Sequence, residues 1–181
     1  MKKTAVMDLC MCAAAAALHI VLELFCTIRI GNDLKITLAA LPFIVIAFLC
    51  GPLEGFITGI VGTLLSQLLT YGITITTPFW IIPYAVQGLT AGLVFRGFKR
   101  KVTVLNMAVS VFSSGFASVV LMWIASYLDG VVFFKYWTPE ILIALIPVRL
   151  LVWVIISAAY TGISIPLCRA LLKSCPAGQK K

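Results

Sequence analysis

VLNMAVSVFSSGFASVVLMWIASY, residues 104–127, is the stretch on which the fold turns: 24 residues without one acidic or basic side chain. A hydrocarbon core of about 30 Å is crossed by about 20 apolar helical residues, so this run is long enough to span a bilayer. The same reading extends outward. Toward the N-terminus lie apolar runs near Phe79 to Phe95, Glu54 to Tyr71, Leu34 to Cys50 and Ala5 to Cys26; toward the C-terminus lies one near Glu140 to Leu172 with flexible ends. Gly51-Pro52 punctuates the second and third runs. A β-barrel would show alternating strands of about ten residues, whereas these runs are continuous. The sequence predicts an all-α integral membrane protein, a six-transmembrane-helix bundle in one membrane domain over 1–181, with 173–181 a basic tail.

Composition agrees. The chain is 62% hydrophobic and 11% charged, against roughly 25% charged for a soluble domain. No water-soluble fold hides that much apolar surface, and little chain remains for a soluble catalytic module. The net charge of +8 does not imply nucleic-acid binding, because the basic residues flank the apolar runs instead of forming a stripe. They set orientation. With the N-terminus inside, the cytoplasmic segments hold Lys2, Lys3, Arg96, Lys99, Arg100, Lys101, Arg169, Lys173, Lys180 and Lys181, and the external loops only Arg29, Lys35 and Lys135. Basic residues resist translocation, so both termini are expected in the cytoplasm. Lys2-Lys3 ahead of Ala13 to Ala17 resembles a signal peptide, but only a short, Asp8-interrupted run precedes those alanines; an uncleaved first helix is the simpler reading. Of the cysteines, Cys10, Cys12, Cys50, Cys168 and Cys175 fall toward the cytoplasmic side and only Cys26 outside, which argues against structural disulfides. Cys10-Met11-Cys12 lacks metal-ligand spacing. Neither metal nor cofactor is expected.

Small residues recur at helical spacing: Gly51, Gly55, Gly59 and Gly62 around the third helix, Gly88 and Gly92 on the fourth. They suit close helix packing, internal in the first instance. On the first helix Ala13 and Ala17 form a small-xxx-small face, with His19 and Glu23 roughly opposite. Ionisable groups inside a membrane are costly and point into protein or a wet cavity; three stand out, His19, Glu23 and Arg149. Arg149 follows Glu140 by nine positions, roughly 13 Å along a helix from its external end. It suits an ion pair with Glu23 or the anionic group of a ligand. Trp80, Tyr84 and Gln87 align on the fourth helix, Arg149, Trp153 and Tyr160 on the sixth, and Trp123 with Tyr127 on the fifth. Interfacial anchoring is the alternative for Trp80 and Tyr127, and helix-helix hydrogen bonding for His19 and Gln87. Pro83 and Pro147 are expected to kink their helices and free backbone groups for a ligand.

These residues resemble the substrate-binding S-components of energy-coupling factor (ECF) vitamin transporters of bacteria and archaea. The resemblance covers nearly the whole chain and rests on Ala13-xxx-Ala17, Leu41-Pro42, Gly51-Pro52-Leu53-Glu54-Gly55-Phe56, and Thr77-Pro78-Phe79-Trp80 through Gln87-Gly88. It implies a multi-pass protein of the cell (cytoplasmic) membrane that is not an enzyme but captures a vitamin from outside beneath a lid. The partners it implies are the lipid bilayer, a transmembrane coupling subunit met by Ala13 and Ala17, and two cytoplasmic ATPase subunits. The chain itself lacks a P-loop pattern. The substrate-binding set implied is Arg149 as anion anchor, Trp80, Tyr84, Trp123 and Trp153 as walls, Gln87 for specificity, with Glu23 and His19; Arg29, Asn32 and Lys35 fall in the lid. The second and third helices look somewhat like members handling folate or pantothenate, whose carboxylate suits Arg149. The aromatic set equally suits thiamine, riboflavin or another ring. The fourth helix departs from folate members, where a Pro-Gly-Phe-Thr-like stretch takes the place of Ile82-Pro83-Tyr84-Ala85. Two other readings stay open: a small intramembrane enzyme with His19 and Glu23 as acid and base, and a non-binding assembly subunit.

Overall fold

The computed structural model describes residues 3–30 and 34–174. In chain order these form α1 (Lys3–Phe25), a hairpin of β1 (Thr27–Ile30) and β2 (Leu34–Thr37), α2 (Leu41–Leu49), α3 (Pro52–Thr70), α4 (Thr77–Gly97) and α5 (Val104–Tyr127). A π-helical turn at Leu128–Phe133, the short α6 (Pro139–Ala144) and α7 (Ile146–Ser174) complete the chain. Among the described residues, five segments are long and apolar enough to cross a membrane: Val6–Phe25, Pro52–Thr70, Thr77–Gly97, Val104–Phe133 and Pro139–Leu171. The architecture is the expected helical membrane bundle, with one two-stranded hairpin added.

The second expected helix differs. Leu34 to Thr37 is a strand, paired antiparallel with Thr27 to Ile30 in the register Thr27↔Thr37 and Ile28↔Ile36. The pair carries β-branched Thr27, Ile28, Ile36 and Thr37, which suit a pleated ribbon better than a helix. The helix begins only at Leu41, with Pro42 in its first turn, where a missing N–H costs nothing. At nine residues α2 rises roughly 13 Å, less than half a bilayer core. All of its residues, Leu41 to Leu49, are buried. A helix apolar all round belongs in an interior, and α2 is the axle of the core: Phe43, Ile44 and Phe48 pack with Tyr84, Phe95, Met107, Val111 and Tyr160. Gly51, at φ 148°, then turns the chain into α3, which opens on Pro52. That backbone angle favours glycine.

The expected sixth helix is split. It breaks at Leu145 between α6 and α7, beside Pro147, whose ring and missing N–H disfavour a continuous helix there. Pro83 and Pro166, by contrast, lie inside α4 and α7; packed neighbours in a membrane bundle tolerate such breaks.

The glycines perform the packing anticipated for them. Helices α3 and α4 run antiparallel in near contact. A β-carbon at Gly59 would stand 2.9 Å from the Tyr84 carbonyl oxygen, one at Gly92 would stand 2.5 Å from Pro52 Cα, and one at Gly88 would collide with the Gly55 carbonyl. Gly62 admits α1, since a β-carbon there would lie 3.0 Å from the His19 ring. Without an oil-water gradient between helices in lipid, this close contact is what holds them together.

Candidate functional site

Helices α3, α4, α5 and α7, the π-turn and the hairpin meet at one cavity of about 590 Å³. From α4 come Trp80, Tyr84 and Gln87, at the i, i+4, i+7 spacing that puts them on one face; from α7 come Arg149, Trp153, Ser157 and Tyr160. Helix α5 contributes Gly115, Ser118, Met122 and Ser126, continued by Asp129 of the π-turn, and the hairpin contributes Lys35 and Thr37. Gln67 of α3 and Tyr71, which caps its end, close the side. The floor residues are buried, whereas Tyr71, Phe134 and Tyr136 of the lining are more than half exposed, so the cavity opens at the hairpin end.

Of the residues expected to bind substrate, Trp80, Tyr84, Gln87, Arg149 and Trp153 line this cavity, as does Lys35 of the expected lid. Glu23 and His19 stand behind it and brace the hairpin. Lys35 Nζ lies 2.7 Å from Glu23 Oε1, and the Thr37 hydroxyl donates to Glu23 Oε2 at 3.4 Å. Thr37 accepts from Thr27 Oγ1 at 2.8 Å and from the Ala39 amide at 3.1 Å. The Tyr160 hydroxyl donates to the Thr37 carbonyl at 2.7 Å, tying α7 to the same strand. His19 Nδ1 donates to the Ala39 carbonyl at 2.6 Å, and the ring is wedged against Phe43 and Tyr84 at centroid distances of 5.7 and 5.9 Å. Sequence reasoning placed both groups on the polar face of α1 but not the hairpin that uses them up, because that segment read as helix.

Lys35 Nζ also sits 5.1 Å from the Tyr84 ring centroid. The Arg29 side chain and Asn32, also expected in the lid, lie outside the described residues; the Arg29 backbone pairs with Lys35.

Trp123 lies apart from this set. It is not among the cavity walls but lines a separate apolar groove of about 150 Å³ between α5 and α7, with Phe116, Leu150 and others, and stacks on Tyr127 at 6.1 Å. Trp123 and Trp153 share the same half of the bundle but face different spaces, a rotation that linear spacing on separate helices does not determine. Val119 and Arg149 border both spaces.

Arg149 is only 9% exposed, and its Nη2 donates to Ser126 Oγ at 2.9 Å. Beside Ser126, three residues on, Asp129 is buried in the cavity wall and accepts from the Tyr136 hydroxyl at 2.7 Å. Asp129, Ser126, Ser157, Gln67 and Gly115 were not singled out from sequence. Asp129 had a signal, being the first charge after the long neutral run of α5. Gly115 had none: it matters because the Nε1–Cδ1 edge of the Trp153 indole, flanked by Phe112 and Phe116 at 5.8 and 5.5 Å, comes close to its backbone. Ala13 and Ala17 are both exposed on α1, while Ala15 and Ala16 turn inward.

The arrangement is a pocket with aromatic walls, charged groups of both signs and an open mouth. Among the described residues no group of acids, histidines and cysteines could hold a metal ion. The family of ECF-type riboflavin transporter S components matches residues 3–173. The fold is similar to that of the S component of a bacterial ECF transporter, with a TM-score of 0.67, 17% identity, and coverage of 91% of this chain and 97% of that one. It is also similar to ThiT from Listeria monocytogenes, with a TM-score of 0.64, 20% identity, and coverage of 96% and 97%. No curated protein sequence matches the chain. The chain belongs to the ECF-type riboflavin transporter S component family.

Proposed function

We propose that this S component captures a small, water-soluble, ring-bearing vitamin from the outer face of a bacterial or archaeal cell membrane and delivers it to an ATP-driven import complex. The cavity carries the reading. At about 590 Å³ it falls within the range of small-molecule sites, which combine apolar walls with a few placed polar groups. Trp80, Tyr84 and Trp153 supply ring-sized walls, Gln87 and Arg149 hydrogen-bond donors. Riboflavin is the first compound to test, because the family description names it and a fused aromatic ring suits these walls.

The proposed topology has six crossings and cytoplasmic termini. The second crossing is made by 34–50 as strand plus short helix, and the basic turn with Arg96, Lys99, Arg100 and Lys101 faces inward. The cavity mouth then faces outward. Transport work falls to a coupling subunit, docked on the exposed Ala13 and Ala17 face, and to two ATPase subunits. The acid-base role once open to His19 and Glu23 loses its support, since one bonds the Ala39 carbonyl and the other is paired with Lys35.

Purified protein titrated with riboflavin, thiamine, pantothenate and folate should show saturable quenching of tryptophan fluorescence by one of them. A monodisperse, folded sample that responds to none refutes capture.

A further inference from the structure

We infer that Asp129 is a specificity-determining residue: beside Arg149 it selects an uncharged ligand group that both donates and accepts hydrogen bonds, and turns away charged ligands. This rests on the capture reading and sharpens it, because a cavity containing Arg149 alone would be expected to prefer an anion.

The placement starts in the backbone. Helix α5 ends at Tyr127 and passes into a π-helical turn over Leu128–Phe133. π-helical turns are uncommon and often mark functional sites. Here the turn holds Asp129 in the cavity wall at 8% exposure, next to Ser126 on the same face. The turn is secured by the Phe134 amide on the Asp129 carbonyl at 3.0 Å and the Trp137 amide on the Gly130 carbonyl at 3.1 Å. Gly130 lets the Trp137 ring lie against the backbone, where any β-carbon would collide with it. Such bracing positions the carboxylate firmly.

Burying a carboxylate is costly unless it is satisfied. Oδ2 takes the Tyr136 hydroxyl at 2.7 Å. Oδ1 accepts none of the hydrogen bonds found among the described residues, and it is not enclosed like the buried orphan atoms elsewhere in the bundle. It is therefore available to a ligand donor. Arg149, whose Nη2 is bonded to Ser126 one turn away, lines the same cavity.

Charge then decides what fits. Lys35 is paired with Glu23, and Asp129 and Arg149 both line the cavity, so its wall carries one charge of each sign besides that pair. An anionic ligand attracted by Arg149 meets Asp129, and a cation attracted by Asp129 meets Arg149. A hydroxyl or amide group donates to one and accepts from the other without a charge penalty. The class selected is thus a neutral ligand with a polyol or amide end.

Three flavins that share one ring system test this: riboflavin with a neutral polyol chain, FMN with a terminal phosphate, and lumiflavin with a methyl group in place of the chain. Wild-type protein is expected to bind riboflavin at least tenfold more tightly than FMN by flavin-fluorescence quenching. Asp129→Asn, which keeps the shape and removes the charge, is expected to weaken riboflavin about tenfold and narrow the preference over FMN at least fivefold. Lumiflavin binding should stay within twofold. An unchanged riboflavin-to-FMN ratio, or an equal loss for lumiflavin, overturns the role of Asp129 while leaving capture intact. Preferential wild-type binding of thiamine, pantothenate or folate overturns it in the same way. Binding of no vitamin overturns both.

Discussion

Gly115→Ala tests whether the Trp153 wall defines the binding space. A β-carbon at Gly115 would lie 2.8 Å from Trp153 Nε1 and 2.9 Å from Ser157 Oγ. Restoring an ordinary separation of about 3.5 Å requires the indole to retreat by roughly 0.7 Å. It cannot move sideways, because Phe112 and Phe116 hold its ring at 5.8 and 5.5 Å. The open direction is the cavity, into which the empty protein relaxes and from which a ligand must push the indole back. Overpacking by one methyl costs about 1–3 kcal/mol. Charged to the bound state, and at about 1.4 kcal/mol per tenfold, that weakens binding by roughly 5- to 150-fold. Gly162→Ala on α7 is the matched control, because a β-carbon there meets nothing and alanine favours the helix by up to about 1 kcal/mol. Titration of both variants with the bound vitamin, beside thermal unfolding in detergent, checks the argument. Binding by Gly115→Ala within twofold of wild type refutes the placement of the wall.

The other predictions concern the hairpin, the helix seam and the docking face. Glu23→Gln leaves Lys35, Thr37 and the hairpin base without their carboxylate; the pair is only partly buried, at 10% and 25% side-chain exposure, so the expected loss is about 1–2 kcal/mol. It should appear as faster amide exchange at Thr27, Ile28, Ile36 and Thr37 and a faster ligand off-rate, and unchanged exchange would count against the bracing role. Gly88→Ala drives a β-carbon into the Gly55 carbonyl, where no flexible group yields, and is expected to lower stability by about 3 kcal/mol or more; calorimetry in detergent should show a fall of several degrees in Tm. Ala13→Leu with Ala17→Leu alters only exposed positions. It should leave vitamin binding unchanged and abolish co-purification with the coupling and ATPase subunits.

The sequence by itself determined the class of the molecule, and the reason is solvent. A run such as Val104 to Tyr127 leaves its backbone no partner in a bilayer but its own helix, so membrane residence and helicity follow from composition alone. Periodicity within one helix was legible too: Trp80, Tyr84 and Gln87 were placed on one face by spacing, and they line one cavity. What was not legible were several features that depend on a second element. Leu34 to Thr37 reads as the start of a helix until Thr27 to Ile30 is beside it, because a strand's hydrogen bonds lie in its partner. With that hairpin in place, Glu23 and His19 became braces. Trp123 and Trp153 separated because the rotation of α5 against α7 is set by close contacts such as Gly115 on the indole. Asp129 entered the cavity wall through a π-turn that no propensity in Leu128 to Phe133 announces. Local physics chose the helices; the fit between their surfaces, down to single β-carbons, decided which side chains share the cavity.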